Sequence, residues 1–317
     1  MILELDGLCV RFRLGSGGPA SGGLVHAVTD ASLTLAPGRL LTLVGESGSG
    51  KSVLAAAVMG LLPANAEVAG RVLLGETDLL VAPEPVLRGV RGRSIGLVPQ
   101  SAATHLSPVR RVGAQLAETV HALRPDDPDP RATVRALADR VRLPAEMLAR
   151  YPHELSGGTA QRVGVAAALA GDPPVLLADE PTVGLDRPLV DSTVDLLAEL
   201  AAAGHAVLLI THDLRAARRV ATDLAVMYAG RLVEQGPAGQ VFAEPWHPYT
   251  AALLDAQPDR GFTPLPGHPP ELTDLPPGCG FEVRCPDRHT CSADPTPRAY
   301  GDRRLACATP PEASVRC

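Results

Sequence analysis

The strongest constraint on the fold is a glycine-rich segment at residues 45–52, with the sequence Gly-Glu-Ser-Gly-Ser-Gly-Lys-Ser. The apolar run 42–44 precedes it and predicts a buried strand, and residues 53–62 predict a helix that ends before Pro63. Glycines between a strand and a helix let successive backbone N–H groups turn inward and bind phosphate at the helix N-terminus. The alternative is a glycine turn that merely precedes a helix.

Lys51 favours a phosphate-binding loop, because it is the only lysine among the 29 lysine and arginine residues. A compact ammonium, rather than a planar guanidinium, suits this position. In such a loop the lysine reaches the β- and γ-phosphates of ATP, and the hydroxyl of the next residue, Ser52, binds Mg²⁺. We call residues 45–52 the phosphate loop. The residues expected to contact the nucleotide lie in this loop or directly after it, and they are Gly45, Ser47, Gly48, Ser49, Gly50, Lys51, Ser52 and Val53.

Two acids follow a second predicted strand at residues 175–178. Asp179, at the C-terminal end of that strand, is expected to hold Mg²⁺ through its coordinated water. Glu180 is expected to polarise the attacking water, since phosphoryl transfer depends mainly on positioning and charge stabilisation. A strand followed by two acids is common, and the pattern gains specificity from the phosphate loop.

Two further polar residues end apolar runs. His212 follows the run 208–211 and is either a sensor of the γ-phosphate or an ordinary histidine at a strand end. Gln100 follows the run 95–99, and its amide binds Mg²⁺ or the attacking water, or belongs to an ordinary loop.

A second anion site is predicted at residues 155–161, Leu-Ser-Gly-Gly-Thr-Ala-Gln, here called the signature segment. Ser156 is a suitable N-cap for the helix that follows, and the N–H groups at such a helix start attract anions. A chain that has its own phosphate loop needs no second site for the same nucleotide. The pattern therefore suggests that this helix covers the nucleotide of a partner subunit.

Charge and hydropathy narrow the function classes. The net charge of −6 provides no basic footprint for nucleic acid, so we expect no nucleic-acid partner. No run approaches the roughly 20 apolar residues that span a bilayer. Residues 1–6 lack the basic start of a signal peptide. We expect a cytoplasmic protein whose membrane role, if any, depends on a partner.

Together these segments resemble, in order and spacing, the nucleotide-binding subunits of ABC transporters. The resemblance implies an α/β fold of the ABC-type P-loop NTPase class, with a RecA-like core, an antiparallel β-subdomain and a helical subdomain at about 90–165. It also implies a head-to-tail dimer that sandwiches ATP between the phosphate loop of one subunit and the signature segment of the other. The further nucleotide contacts that it implies are Phe12 on the adenine, and Ser156, Gly157, Gly158, Gln161 and the D-loop residue Asp186.

The composition shifts towards proline beyond residue 236, and we call residues 241–317 the C-terminal extension. Such a segment wraps a surface rather than building its own core. Clustered cysteines in a cytosolic chain suggest a metal or a cluster, either zinc or iron–sulfur, although incidental cysteines are the alternative. The candidate ligands are Cys279, Cys285, Cys291 and Cys307.

Residues 246–254 and 275–286 resemble the C-terminal element of ATPase subunits from oligopeptide, dipeptide and nickel importers. The resemblance implies an ATPase at the cytoplasmic face of the membrane that powers uptake of peptides or of a similar small solute such as a nickel chelate. Its implied partners are a second ATPase subunit, two permease subunits and, indirectly, an extracytoplasmic solute-binding protein. It also makes the four cysteines ligands of a [4Fe-4S] cluster in preference to zinc.

Two other functions compete with this assignment. A non-transport ABC ATPase that acts on nucleic acid or ribosomes usually has two fused ATPase units or long coiled coils, whereas this chain has one phosphate loop and no long heptad run. A regulatory subunit that binds ATP without hydrolysis is disfavoured by Glu180, His212 and the signature segment.

Overall fold

The computed structural model describes residues 2–15, 23–286 and 296–307. Two compact units account for the chain. The first unit comprises Met1–Leu3, Leu35–Leu40 and Val81–Thr211, and the second comprises Glu4–Thr34, Leu41–Leu80 and His212–Cys317.

Strands and helices alternate through much of the described chain. The strands are β1 (Leu3–Arg13), β2 (Leu24–Leu35), β3 (Leu40–Val44), β4 (Ala66–Leu74), β5 (Thr77–Asp78), β6 (Ile95–Val98), β7 (Val175–Asp179), β8 (Ala206–Ile210), β9 (Asp223–Tyr228), β10 (Arg231–Pro237), β11 (Arg298–Tyr300) and β12 (Arg303–Leu305). The helices are α1 (Lys51–Val58), α2 (Glu84–Val90), α3 (Val112–Leu123), α4 (Pro130–Arg140), α5 (Gly157–Ala168), α6 (Arg187–Ala202), α7 (Leu214–Val220), α8 (Ala238–Ala243) and α9 (Pro248–Asp255).

The first unit is built on a parallel arrangement of β6, β7 and β8. Val98 lies opposite Ala178, and Asp179 lies opposite Ile210. Both β7 and β8 are almost uninterrupted apolar runs, which suits strands that are buried on both faces of a parallel sheet. Helices α3, α4 and α5 pack against one another in the same unit. Because the carboxyl ends of parallel strands meet at one edge, the acids after β7 and the residues after β6 lie at the same edge.

The second unit contains two groups of strands. One is a sheet with the strand order β2-β1-β4-β5, and the other has the order β11-β12-β10-β9-β3. Strand β3 is fully buried and pairs in parallel with β9, so that Val44 lies opposite Val226. Strands β9, β10, β12 and β11 pair antiparallel in succession.

The C-terminal extension contributes to the hydrophobic core of the second unit. Tyr249 and Phe281 of the extension surround Tyr228 of β9, with ring centroids 4.4 Å and 5.3 Å from that of Tyr228. Val44 and Val226 of the paired strands belong to the same buried cluster. Aromatic pairs at these separations stabilise a fold beyond the area that they bury. The extension therefore covers β9 and shares its core.

A fully buried ion pair fixes β12 of the extension to β10. The carboxylate of Glu234 pairs with the guanidinium of Arg303, and the two side chains are 0% and 2% exposed. Glu234 also accepts hydrogen bonds from the backbone N–H groups of Trp246 and His247, at 2.9 Å and 3.0 Å. The guanidinium carbon of Arg303 lies 3.5 Å from the ring centroid of Trp246. A buried pair needs such additional partners to offset the desolvation of its charges.

Replacing Glu234 with alanine should destabilise the second unit by about 3–5 kcal/mol, because it leaves a buried guanidinium without its counter-ion and two backbone N–H groups without their acceptor. Urea unfolding followed by the fluorescence of Trp246, the only tryptophan, measures this effect at the ion pair itself. The matched control is Asp6→Ala, which removes an exposed pair with Arg71 and should hardly move the midpoint. Equal midpoints for the two variants would contradict a structural role of the buried pair.

Candidate functional site

The phosphate loop connects β3 to α1 in the second unit. Strand β3 ends at Val44 and α1 begins at Lys51, with Gly50 as its N-cap at φ 102°. The arrangement of strand, glycine loop and helix is the structural context that a phosphate-binding loop requires. Ser47, Gly48 and Ser52 are exposed at the loop, whereas Val53 is half-buried.

Two of the loop glycines are required by close backbone contacts. A Cβ atom at Gly45 would lie 2.0 Å from the carbonyl oxygen of Met227, and one at Gly50 would lie 2.1 Å from that of Ala27. Both residues also have a positive φ that side chains rarely adopt, 153° for Gly45 and 102° for Gly50. The loop therefore has its observed course only because these two residues lack side chains.

The ammonium of Lys51 lies inside the loop. It donates hydrogen bonds to the carbonyl oxygens of Gly45 and Glu46 at 2.9 Å and 2.8 Å, and to Ser49 Oγ at 3.3 Å. The residue is only 6% exposed. A positive charge held at the start of a helix, within a loop too narrow for side chains at two positions, fits the phosphate chain of a nucleotide.

Glu46, the second residue of the loop, is held by the C-terminal extension. Its two carboxylate oxygens accept hydrogen bonds from the guanidinium of Arg284 at 2.8 Å and 3.1 Å, which is a bidentate pair. Its backbone N–H donates to the hydroxyl of Tyr249 at 2.9 Å. The side chain of Arg284 is 3% exposed, and that of Glu46 is 28% exposed. Two residues of the extension thus contact the phosphate loop directly.

Burial sets the protonation of the groups behind this contact. It raises the pKa of the Tyr249 hydroxyl, which stays protonated at neutral pH. Burial also lowers the pKa of His247 to about 4, so its ring is neutral. The neutral ring accepts the Tyr249 N–H at Nδ1, at 3.0 Å. Although burial opposes the charge of Arg284, its hydrogen bonds to Glu46 and Tyr228 raise the pKa of the guanidinium further.

The two predicted acids lie at the end of β7 in the first unit. Asp179 is the last residue of β7 and Glu180 follows it, and both are half-buried. The backbone of Glu180 has φ 47°, in the left-handed region that is uncommon outside glycine. Its N–H donates to the carbonyl oxygen of Ile210 at 2.9 Å, which fixes this conformation against the end of β8. Strained residues of this kind concentrate at functional sites.

The signature segment and the D-loop residue are both helix starts in the first unit. Ser156 caps α5 and accepts the N–H of Thr159 at 3.2 Å, and Asp186 caps α6 and accepts the N–H of Leu189 at the same distance. A Cβ atom at Gly158 would lie 2.7 Å from the side chain of Leu189, so the two helix starts pack closely there. Gly157 is exposed, and Gln161 is buried in α5.

The remaining predicted site residues are spread over both units. Gln100 is exposed after β6 in the first unit and precedes a short 3₁₀ turn, Ala102–His105. In the second unit His212 is exposed before α7, and Phe12 is half-buried on β1. The phosphate loop, Phe12 and His212 therefore belong to the second unit, whereas Gln100, the two acids, the signature segment and Asp186 belong to the first.

The prediction of an iron–sulfur cluster is wrong. Within residues 2–15, 23–286 and 296–307, no group of three or more His, Cys, Asp or Glu side chains could hold a metal ion, which also leaves no support for zinc. Cys279 and Cys285 are 6% and 7% exposed in the hydrophobic core with Phe281, where a thiol packs as a small apolar side chain. Cys307 is half-buried after β12, and Cys291 lies outside the described residues.

Comparisons with known proteins give the family. The profile described as "ABC transporter" matches residues 28–183, and the profile "Oligopeptide/dipeptide transporter, C-terminal region" matches residues 233–291. The oligopeptide transport ATP-binding protein OppD of Haemophilus influenzae is 39% identical, over 90% of this chain and 89% of its own length. The chain belongs to the family of ABC transporter ATP-binding subunits.

Other members of the family extend the similarity. The dipeptide transport ATP-binding protein DppD of Bacillus subtilis is 40% identical over 90% of this chain and 87% of its own length. Among solved structures, the dimeric bacterial ABC transporter cassette MJ0796 has a TM-score of 0.64 at 24% identity, and covers 74% of this chain and 98% of that one. The predicted ABC-type P-loop fold is thereby confirmed. No helix among the described residues is long and apolar enough for a transmembrane span.

The sequence does not predict the contact of Arg284 and Tyr249 with Glu46. Both residues lie in segments that resemble the importer element, but the sequence gives no signal that they approach a loop 238 or 203 positions away. Glu46 is the one residue of the segment 45–52 for which the sequence pattern predicts no nucleotide contact.

Gly50→Ala should weaken the binding of a fluorescent ATP analogue at least about tenfold, because the added Cβ would displace the loop from the Ala27 carbonyl. Gly239→Ala is the matched control, since a Cβ atom there meets nothing within 4 Å. Fluorescence titration measures both affinities. Unchanged binding by Gly50→Ala would show that the course of the loop is not what holds the nucleotide.

Proposed function

We propose that the chain is the ATP-hydrolysing subunit of an ABC importer that powers the uptake of peptides. The observation that carries this proposal is the phosphate loop, in which the only lysine is enclosed at the start of α1. The class of solute is supported by the match of residues 233–291 to the oligopeptide and dipeptide transporter region and by relatives whose names give peptide transport.

The phosphate loop and its surroundings would hold Mg-ATP. Bound Mg-ATP supplies the γ-phosphoryl group that is transferred to water. The inward N–H groups of the loop and the ammonium of Lys51 would bind the β- and γ-phosphates. Ser52, Asp179 and Gln100 would supply oxygen ligands for Mg²⁺, which prefers carboxylate, hydroxyl and amide oxygens. Phe12 would stack on the adenine.

Glu180 would polarise the attacking water as the general base. The backbone bond from its N–H to Ile210 fixes the direction in which the carboxylate leaves the strand. Gln100 would orient the same water, and His212 would contact the γ-phosphate. In phosphoryl transfer such residues act mainly by positioning and charge stabilisation.

A second ATPase subunit would complete the site. The helix start at Ser156, Gly157 and Gly158, with Gln161 and Asp186, would cover the nucleotide of the partner subunit. The close packing of Gly158 on Leu189 supports a rigid surface there, since it leaves no room for a side chain between the two helix starts. Either an identical or a related subunit would serve as the partner.

The transporter would also require membrane subunits. Two permease subunits would carry the solute and a solute-binding protein would deliver it, so the chain would lie peripherally at the cytoplasmic face of the membrane. The ATPase cassette would span residues 1–240, with its helical subdomain at about 90–165, and the C-terminal extension would follow at 241–317.

Glu180→Gln should retain ATP binding and lower the rate of hydrolysis at least about 100-fold, because the amide keeps the shape of the side chain but cannot accept the proton. Steady-state phosphate release by the assembled transporter, with equilibrium binding of ATP alongside, measures both quantities. Glu199→Gln, at an exposed position of α6 paired with Arg142, is the control and should leave both unchanged. Undiminished hydrolysis by Glu180→Gln would refute the assignment of the base.

A further inference from the structure

We propose that Arg284 and Tyr249 of the C-terminal extension are positioning residues that hold the phosphate loop in its nucleotide-binding conformation. The inference rests on the proposed function, since it concerns the affinity of the same loop for ATP. It assigns the extension a direct role at the nucleotide site through two named side chains.

The first step in the argument is that every polar group of Glu46 is engaged. Its carboxylate binds Arg284 in a bidentate pair, and its N–H donates to Tyr249 at 2.9 Å. Its carbonyl oxygen accepts the ammonium of Lys51 at 2.8 Å. Glu46 therefore links the extension on one side to the phosphate-binding lysine on the other. A displacement of Glu46 would move an acceptor of Lys51 with it.

The second step is that Arg284 is held rigidly on the side away from the loop. Its Nε donates to the carbonyl oxygen of Pro266 at 2.7 Å, and its guanidinium also donates to the Tyr228 hydroxyl at 3.2 Å. The guanidinium carbon lies 5.7 Å and 5.8 Å from the ring centroids of Tyr228 and Phe281. With 3% of its side chain exposed, Arg284 differs from flexible surface arginines, whose ion pairs stabilise little. Arg284 is therefore a fixed partner for Glu46.

The third step is that Tyr249 holds the backbone of Glu46. It lies in the first turn of α9, is fully buried, and is fixed by its N–H bond to His247 Nδ1. Its hydroxyl accepts the N–H of Glu46 at 2.9 Å, so this N–H is directed towards the extension. Loss of the hydroxyl leaves a loop N–H without its acceptor but preserves the aromatic packing of the ring.

Positioning of this kind matters because the loop is rich in glycine. Glycine loses more backbone freedom on ordering than any other residue, so a glycine loop ordered only by its ligand binds that ligand more weakly. Contacts that order the loop before the nucleotide arrives reduce this loss. The structure places two such contacts, one charged and one neutral, on the same residue.

The test measures the dissociation constant of a non-hydrolysable ATP analogue, in the presence of Mg²⁺, by calorimetry on the full chain. We expect Arg284→Gln to raise it about tenfold and Tyr249→Phe to raise it about threefold, in keeping with the strengths of charged and neutral hydrogen bonds. Arg284→Lys should restore part of the affinity, because it keeps the charge and loses the bidentate geometry.

The matched control is Arg303→Gln. It breaks another buried arginine–glutamate pair of the extension, the pair with Glu234, which does not contact the phosphate loop. The affinity of the Arg303→Gln variant for the ATP analogue should stay within about twofold of that of the unaltered chain. Trp246 fluorescence checks that each variant is folded, and Tyr249→Phe, which keeps its ring in the core, remains informative if an arginine variant unfolds.

The outcomes separate the two proposals. If the unaltered chain fails to bind the analogue, the proposed function is wrong. If it binds, and Arg284→Gln and Tyr249→Phe bind equally well, the positioning role is wrong. An equal loss of affinity in Arg303→Gln would also overturn it, because the effect would then be a general consequence of destabilising the extension.

Discussion

The bidentate pair between Arg284 and Glu46 is the interaction on which the nucleotide site most depends. A phosphate loop must be rich in glycine so that its N–H groups approach the ligand, yet the same glycines leave it without side chains that anchor it. Glu46 supplies a charged anchor at the start of the loop, and its partner Arg284 lies 238 positions later in the chain. The ATP-binding element and the C-terminal extension are therefore physically one site.

The aromatic core of the second unit keeps Arg284 in place. Tyr228, Tyr249 and Phe281 form a compact aromatic cluster on β9, and the guanidinium of Arg284 lies against the rings of Tyr228 and Phe281. This core also explains the cysteines. A thiol in apolar surroundings contributes packing, so Cys279 and Cys285 add to the apolar contacts where the extension packs on the second unit.

Elements with a strong local signal could be predicted from the sequence. Such elements depend only on neighbouring residues, and the structure has them at the expected positions. They are the phosphate loop, the cap at Ser156, and the apolar strands before Gln100, Glu180 and His212. The contact of Glu46 with Arg284 depends on the tertiary fold. The two residues are 238 positions apart, and the sequence around each of them does not show whether its charge is exposed or paired in the interior. The cysteine error has the same origin, since sequence spacing does not show whether thiols converge or pack into a core.

The most direct test of this account is a double-mutant cycle for Mg-ATP binding with Glu46→Gln and Arg284→Gln. If the extension holds the loop through this pair, each single variant loses affinity, and the double variant binds about as well as the weaker single variant, because the same interaction is removed only once. If the two losses multiply instead, the residues act independently, and the extension does not hold the phosphate loop through Arg284.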